Sequence, residues 1–220
     1  SYKLMLEYEL QSLRSQMNPH FIFNAMNSID NYIWKNKREE ASSYLIKFSN
    51  LMRMTLQNSR TKTIRLADEI GFLKLYLELE NFRLEEKLNY RIEISPELDV
   101  DEVVIPSMVV QPFVENAVLH GLSHKDDGER LLIIRFYRNE NLIVCEVEDN
   151  GVGREAAKAS QENKLFKKQS VGIQVTEERV ALLKQITGNR NLQIKIIDLK
   201  DDGNSQALGT KVIIRLPLAG

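Results

Sequence analysis

Five short segments constrain the fold of this chain more than any other feature. LNYRIEI (88–94), LLIIRFY (131–137), NLIVCEVED (141–149), NLQIKIID (191–198) and GTKVIIRLPL (209–218) alternate apolar with polar residues or are rich in branched ones. Either pattern suits a β-strand, whose successive side chains point to opposite faces of a sheet. A helix through Ile70, Leu73, Leu77 and Leu84 comes before them, and helical stretches near 107–121 and 173–187 separate them. Strands and helices in that order predict an α+β sandwich.

Ahead of the sandwich the periodicity is purely helical. Leu6, Leu10, Leu13 and Met17 recur at alternating steps of four and three, the seam of a coiled coil or two-helix contact. Beyond Pro19 the apolar set is Ile22, Met26, Ile29 and Ile33, and the basic loop KNKRE (35–39) ends that run. Ala41, Leu45, Phe48, Met52 and Leu56 supply the returning helix. Residues 1–62 therefore read as an antiparallel helical hairpin whose homodimer would be a four-helix bundle. TKTIR (61–65) lacks periodicity and reads as the connection to a second domain, 63–220.

Bulk composition narrows the function. With 30 basic against 31 acidic residues and a net charge of −1, the chain has no general field for nucleic acid or an anionic membrane. One cysteine, Cys145, offers neither an internal disulfide nor a zinc cluster, so a reducing compartment is the natural reading. No apolar run reaches the roughly 20 residues that span a bilayer. The chain starts without methionine and already in helical phase, which reads as an excised portion of something longer; a membrane anchor would lie in the missing part.

Several segments carry chemistry. In QMNPHFIFNAMNSI (16–29), helical phase puts Ile22, Met26, Ile29 and Ile33 opposite His20, with Asn24, Asn27 and Asn31 on its azimuth and Gln16 near it. An exposed histidine is ordinarily inert surface. A neutral imidazole is also a competent nucleophile near pH 7, and amides at i−4 and i+4 could hold its ring and tautomer.

In EDNGVG (148–153) the period-2 pattern sends Asp149 to the side of Ile143, Cys145 and Val147. A carboxylate aimed inward needs a donor or a ligand that supplies one, such as an exocyclic amine. The alternative is a plain DNG turn. Gly151 and Gly153 allow backbone to approach a planar ligand. PSMVVQPFVENAVLHGL (106–122) sets Asn116 and His120 one turn apart, with Val110, Val114 and Ala117 on another face. The Asn116 amide is a candidate Mg²⁺ ligand. Glu115 beside it is either a proton acceptor or a solvated helix carboxylate. Gly172 precedes a helix whose N-terminus could receive phosphate oxygens, and Gly209-Thr210 opens the last strand. Lys158, Lys164, Lys167 and Lys168 lie in a polar stretch, 151–172, that reads as a mobile lid over phosphates or as plain solvation. No GxxxxGK[ST], HRD, DFG or HExxH occurs, against P-loop ATPases, eukaryote-type kinases and zincins.

These blocks, in this order, resemble the LytS-type sensor histidine kinases, whose ATP-binding domain belongs to the gyrase, Hsp90 and MutL (GHKL, Bergerat) superfamily. QMNPHFIFNAMNSI is similar to the phosphoacceptor box, QPFVENAVLHG to the N box and EDNGVG to the first glycine box. The resemblance implies a mixed sheet covered by helices on one face, with ATP and Mg²⁺ bound. It implies phosphoryl acceptance by His20, Mg²⁺ ligation by Asn116, adenine recognition by Asp149, and a nucleotide site shared with His120, Gly151, Gly153, Lys167, Gly172 and Thr210. Asn24 matches a position used to dephosphorylate the partner. That partner is an aspartate-bearing response regulator, often with a LytTR-type output, and the setting is the cytoplasmic part of a bacterial inner-membrane sensor. Two departures stand out: Ser170 and Ile173 flank Gly172 where GxGL is usual, and Phe21 occupies the place of an acidic residue after the acceptor. A GHKL ATPase without autophosphorylation, or a degenerate dimeric adaptor, are the alternatives.

Overall fold

A computed structural model describes residues 19–85, 87–154, 192–203 and 206–218. The seam of Leu6, Leu10, Leu13 and Met17, the side chain of His20, the lysine-rich stretch with Lys167, Gly172 and the helix near 173–187 lie outside the described residues.

Helix α1 (Pro19–Trp34) and helix α2 (Arg38–Arg60) form the hairpin. Asn36 turns the chain between them with φ 58°, a conformation its short amide side chain tolerates. Glu39 and Glu40 in the first turn of α2 and Arg60 in the last complement the helix dipole. Strand β1 (Thr63–Arg65) pairs antiparallel with β3 (Val104–Pro106), with Ile64 opposite Ile105. TKTIR is thus partly a strand rather than a connector, because its one apolar residue, Ile64, is buried in a two-stranded ribbon too short to show periodicity. Helix α3 (Leu66–Arg83) follows directly.

The main sheet contains β2 (Leu88–Ile94), β4 (Arg130–Asn139), β5 (Leu142–Asp149), β6 (Gln193–Lys200) and β7 (Ala207–Pro217). Its order is β2-β4-β5-β7-β6, and only the β2/β4 pair is parallel. All five segments read as strands are strands, and the sheet is mixed within an α+β fold. Leu132, Ile134 and Phe136 of β4, Ile143, Cys145 and Val147 of β5, and Ile214 and Leu216 of β7 face inward and share a core with Phe72, Leu73 and Leu77 of α3. The opposite face carries an ionic lattice: Arg135 bridges Glu93 and Glu148, each at 3.0 Å, and Lys211 reaches Glu146 at 3.0 Å. Such partly exposed pairs contribute little each. They do keep that face wetted.

The hairpin buries a different stripe from the one its periodicity suggests. Phe21 and Ala25 are buried, with Ile22, Ile29 and Tyr32 half-buried, whereas Met26 and Ile33 are 47% and 58% exposed. On α2 the buried set is Ala41, Tyr44, Phe48, Leu51 and Thr55, and Leu45 and Leu56 are exposed. The cause is α3, against which the hairpin packs. The Phe21 ring lies 5.5 Å from Tyr76 of α3 and 5.9 Å from Phe48, Tyr44 meets Phe82 edge-on, and Lys47 pairs with Glu78. One hydrophobic core therefore continues from Phe21, Phe48 and Leu51 into the sandwich.

Candidate functional site

The site is built where β5 ends. Its alternation does send Asp149 inward: the residue is 5% exposed and closes the row of Ile143, Cys145 and Val147. The Gly151 N–H donates to Asp149 Oδ1 at 2.8 Å. Burial pushes this carboxyl up to about 7, with backbone hydrogen bonds from Gly151 and Thr210 pulling the other way. Thr210 is the cross-strand partner of Asp149 in β7. Its neighbour Gly209 has φ 129° and lies so close that a Cβ there would sit 1.9 Å from the Asp149 carbonyl oxygen, so no other residue fits. Gly153 stands against Ala207 at the start of β7.

Opposite Asp149 runs the segment QPFVENAVLHGL. Helix α4 (Gln111–Asn116) passes into a π-helical turn over Ala117–Leu122. Such turns, closed by i→i−5 bonds, cluster at functional sites, and here the Ser123 N–H bonds the Val118 carbonyl at 2.9 Å. Val110, Val114 and Ala117 are buried as their spacing predicts, leaving Glu115, Asn116 and His120 at the half-exposed edge. Gln111 Nε2 donates to Glu115 Oε1 at 2.7 Å. The His120 ring lies parallel to His124, 6.5 Å away.

Contact between the turn and the glycine loop is intimate. A Cβ on Gly121 would fall 2.7 Å from Asp149 Oδ1, and one on Gly151 would fall 2.4 Å from the Gly121 carbonyl carbon. The Val152 N–H donates to the Gly121 carbonyl at 3.2 Å. Sequence reasoning missed Gly121, although a glycine inside a helical pattern is itself a signal of close backbone approach. It also missed Asn150, which reads as part of a turn, yet whose side chain accepts from Leu131 N and donates to the Glu129 carbonyl, pinning the loop to β4. Lys125 Nζ holds the Asn150 carbonyl at 2.9 Å.

The structure thus gathers Asp149, Gly151, Gly153 and Thr210 around the helical segment that carries Asn116 at the end of α4 and His120 in the π-helical turn. His20 and Asn24 stand apart on α1, in the hairpin. The arrangement offers an enclosed carboxyl, glycine backbone packed against it, and a half-exposed amide and imidazole on the neighbouring segment.

A family model described as Histidine kinase matches residues 8–88 of this chain. Within it the likeness is to the LytS type. The chain is 35% identical over 153 residues to the sensor protein LytS of Staphylococcus haemolyticus, covering 69% of this chain and 25% of that protein. It is 35% identical over 147 residues to the sensor histidine kinase BtsS of Escherichia coli K12, covering 67% and 25%. The chain thus spans about a quarter of the length of these relatives. Among solved structures, the mycobacterial sensor histidine kinase MprB aligns over 66% of this chain and 91% of its own at 14% identity, with a TM-score of 0.40, too loose a likeness to carry an argument.

Proposed function

We propose that this chain is the kinase portion of a two-component sensor, in which His20 takes the terminal phosphoryl group of ATP and passes it to an aspartate of a response regulator, one with a LytTR-type output. The observation that carries the reading is the Asp149 carboxyl, nearly buried at the end of β5 and walled by the backbone of Gly121 and Gly151. A carboxyl so enclosed is costly to ionise without a donor, and an adenine amine is a donor of the right size. The family match, which includes His20, supports the other half.

In this reading Asn116 supplies an oxygen to Mg²⁺, whose bound charge neutralises the phosphates. His120, Gly151, Gly153 and Thr210 line the nucleotide, and Gly172 and Lys167, outside the described residues, are assigned to its phosphates by the family resemblance alone. The hinge between a hairpin domain, 1–62, and a catalytic domain, 63–220, brings the imidazole to within about 3–3.5 Å of the γ-phosphorus. A ring nitrogen of His20 attacks in line: the N–P bond forms, the bond to the β,γ-bridging oxygen breaks, and ADP leaves with that electron pair. The proton on the other ring nitrogen passes to Glu115. Asn24, one helical turn from His20, orients water for dephosphorylating the partner.

The exposed apolar residues of the hairpin, Phe23 at 71% and Trp34 at 82% with Met26, Ile33, Leu45 and Leu56, support a homodimer that covers part of this face. No described helix is long and apolar enough to cross a membrane. We assign the chain to the cytoplasmic part of a bacterial inner-membrane sensor.

The test is labelling with γ-³²P-ATP and magnesium. The wild type should acquire an acid-labile, base-stable label, and His20→Gln should lose it while still binding nucleotide. Undiminished label in His20→Gln refutes the acceptor. Steady phosphate release with no protein-bound label would mark an ATPase instead.

A further inference from the structure

Helix α3 touches both halves of the molecule, and one ion pair on it has no role in the reading above. Glu80 is 1% exposed, and Arg83 Nε and Nη2 both donate to its Oε2, at 2.9 and 2.6 Å. A buried pair of this kind seldom stabilises more than apolar packing would, so its presence asks for another use. The same Nη2 donates to Ser123 Oγ at 2.9 Å, forty residues away in sequence. Ser123 Oγ in turn donates to the Val118 carbonyl at 2.8 Å, the carbonyl that also accepts the Ser123 N–H at 2.9 Å. The hydroxyl has one proton; with Arg83 filling its acceptor side, that proton is directed at Val118.

We propose that Arg83 is a positioning residue for the nucleotide site: through Ser123 it closes the π-helical turn that follows Asn116 and carries His120 and Gly121, and so sets the wall facing Asp149. Two features favour this over a purely structural pair. The turn it closes is the one whose Gly121 approaches Asp149 within contact distance, so a small opening there moves the wall of the pocket. Glu80 anchors the guanidinium from behind, leaving it little freedom to swing away from Ser123. The inference rests on the kinase reading and names how that site is held. It also places the pair beside the hairpin, since Phe82, next to Arg83, packs edge-on against Tyr44 of α2 at 6.2 Å.

The experiment measures the KM for ATP and kcat of self-labelling, with calorimetric titration of adenylyl imidodiphosphate, for wild type, Ser123→Ala, Arg83→Lys and the double variant. Arg83→Lys keeps a charge for Glu80, and so the fold, but an ammonium lacks the fork that serves two acceptors at once. Each single variant should raise KM and the dissociation constant about five- to tenfold, the scale of one ordinary lost hydrogen bond. The larger share of the loss should fall in KM rather than kcat. The double variant should be no worse than the poorer single, because both break one chain. Wild-type KM in the single variants overturns the proposal, as does a lowered melting temperature with unchanged KM, or strictly additive losses. A wild type that labels normally while the variants keep its KM sinks this inference alone; a wild type that neither binds nucleotide nor labels sinks the kinase reading with it.

Discussion

Replacing Asp149 by asparagine tests the buried carboxyl without any nucleotide present. Its folded value of about 7 stands against an ordinary 3.8, and burial is the largest cause. A carboxyl whose value is raised on folding holds its proton longer in the folded state than in the unfolded one. Its contribution therefore turns unfavourable as pH climbs from about 4 to about 7 and is constant above that. The penalty amounts to roughly 2 kcal/mol at pH 5 and roughly 4 kcal/mol at pH 8. The amide introduced by Asp149→Asn would still accept from Gly151 N–H through its oxygen but would lose a bond to Thr210, costing about 1 kcal/mol at either pH. That cost cancels when the two pH values are compared, and so does the titration of buried Glu69, also raised to about 7 and present in both proteins. Urea unfolding of wild type and Asp149→Asn at pH 5 and pH 8 should show the variant gaining about 2–3 kcal/mol on the wild type across the interval. Stability differences equal at both pH values within about 0.5 kcal/mol would refute the claim that Asp149 is held in a desolvated site. The same variant should fail to bind ATP at either pH, and wild-type affinity in calorimetry would remove its adenine role.

Gly151→Ala forces a methyl into the Gly121 main chain and should destabilise the protein by about 1–3 kcal/mol or more in thermal unfolding, whereas Gly71→Ala, on an exposed turn of α3 with nothing within 4 Å, should stabilise it by about 0.5–1 kcal/mol. Equal effects of the two would show that the Gly121–Gly151 contact is not tight. Leu45→Glu combined with Leu56→Glu places charges on the exposed face of α2 and should shift sedimentation from dimer to monomer with the circular dichroism unchanged. A variant that still sediments as a dimer would place the dimer interface elsewhere.

Much of the sandwich is legible in the sequence because a strand offers only two faces. Once Ile143, Cys145 and Val147 mark one of them, Asp149 can only point the same way, and it does. The register that pairs it with Thr210 is a long-range fact that no local pattern encodes. The π-helical turn is hidden for a related reason. Asn116 and His120 look one turn apart when α-helical bonding is assumed, and only the Ser123-to-Val118 bond and the Arg83 contact behind it show that the turn is wider. Gly121 carries a readable signal, yet what it approaches is a carboxyl far along the chain, brought there by β4 and β5.

The hairpin differs in phase from its sequence reading, and the reason applies to helices in general. A helix with apolar residues around more than half its circumference satisfies several stripes at once: Ile22, Met26, Ile29 and Ile33 fit the 3.6-residue period, and so do Phe21, Ala25 and Tyr32. Periodicity cannot choose between them; the partner does. Here α3 presents Tyr76 and Phe82, aromatic rings that take up Phe21 and Tyr44, so the second stripe is buried and the first is left half-exposed. A helix serving only one neighbour would be expected to keep its other face polar. Two faces of apolar side chains, one filled by α3 and one still open on both α1 and α2, are what a chain needs if the hairpin must hold its own sandwich and a second copy of itself at the same time.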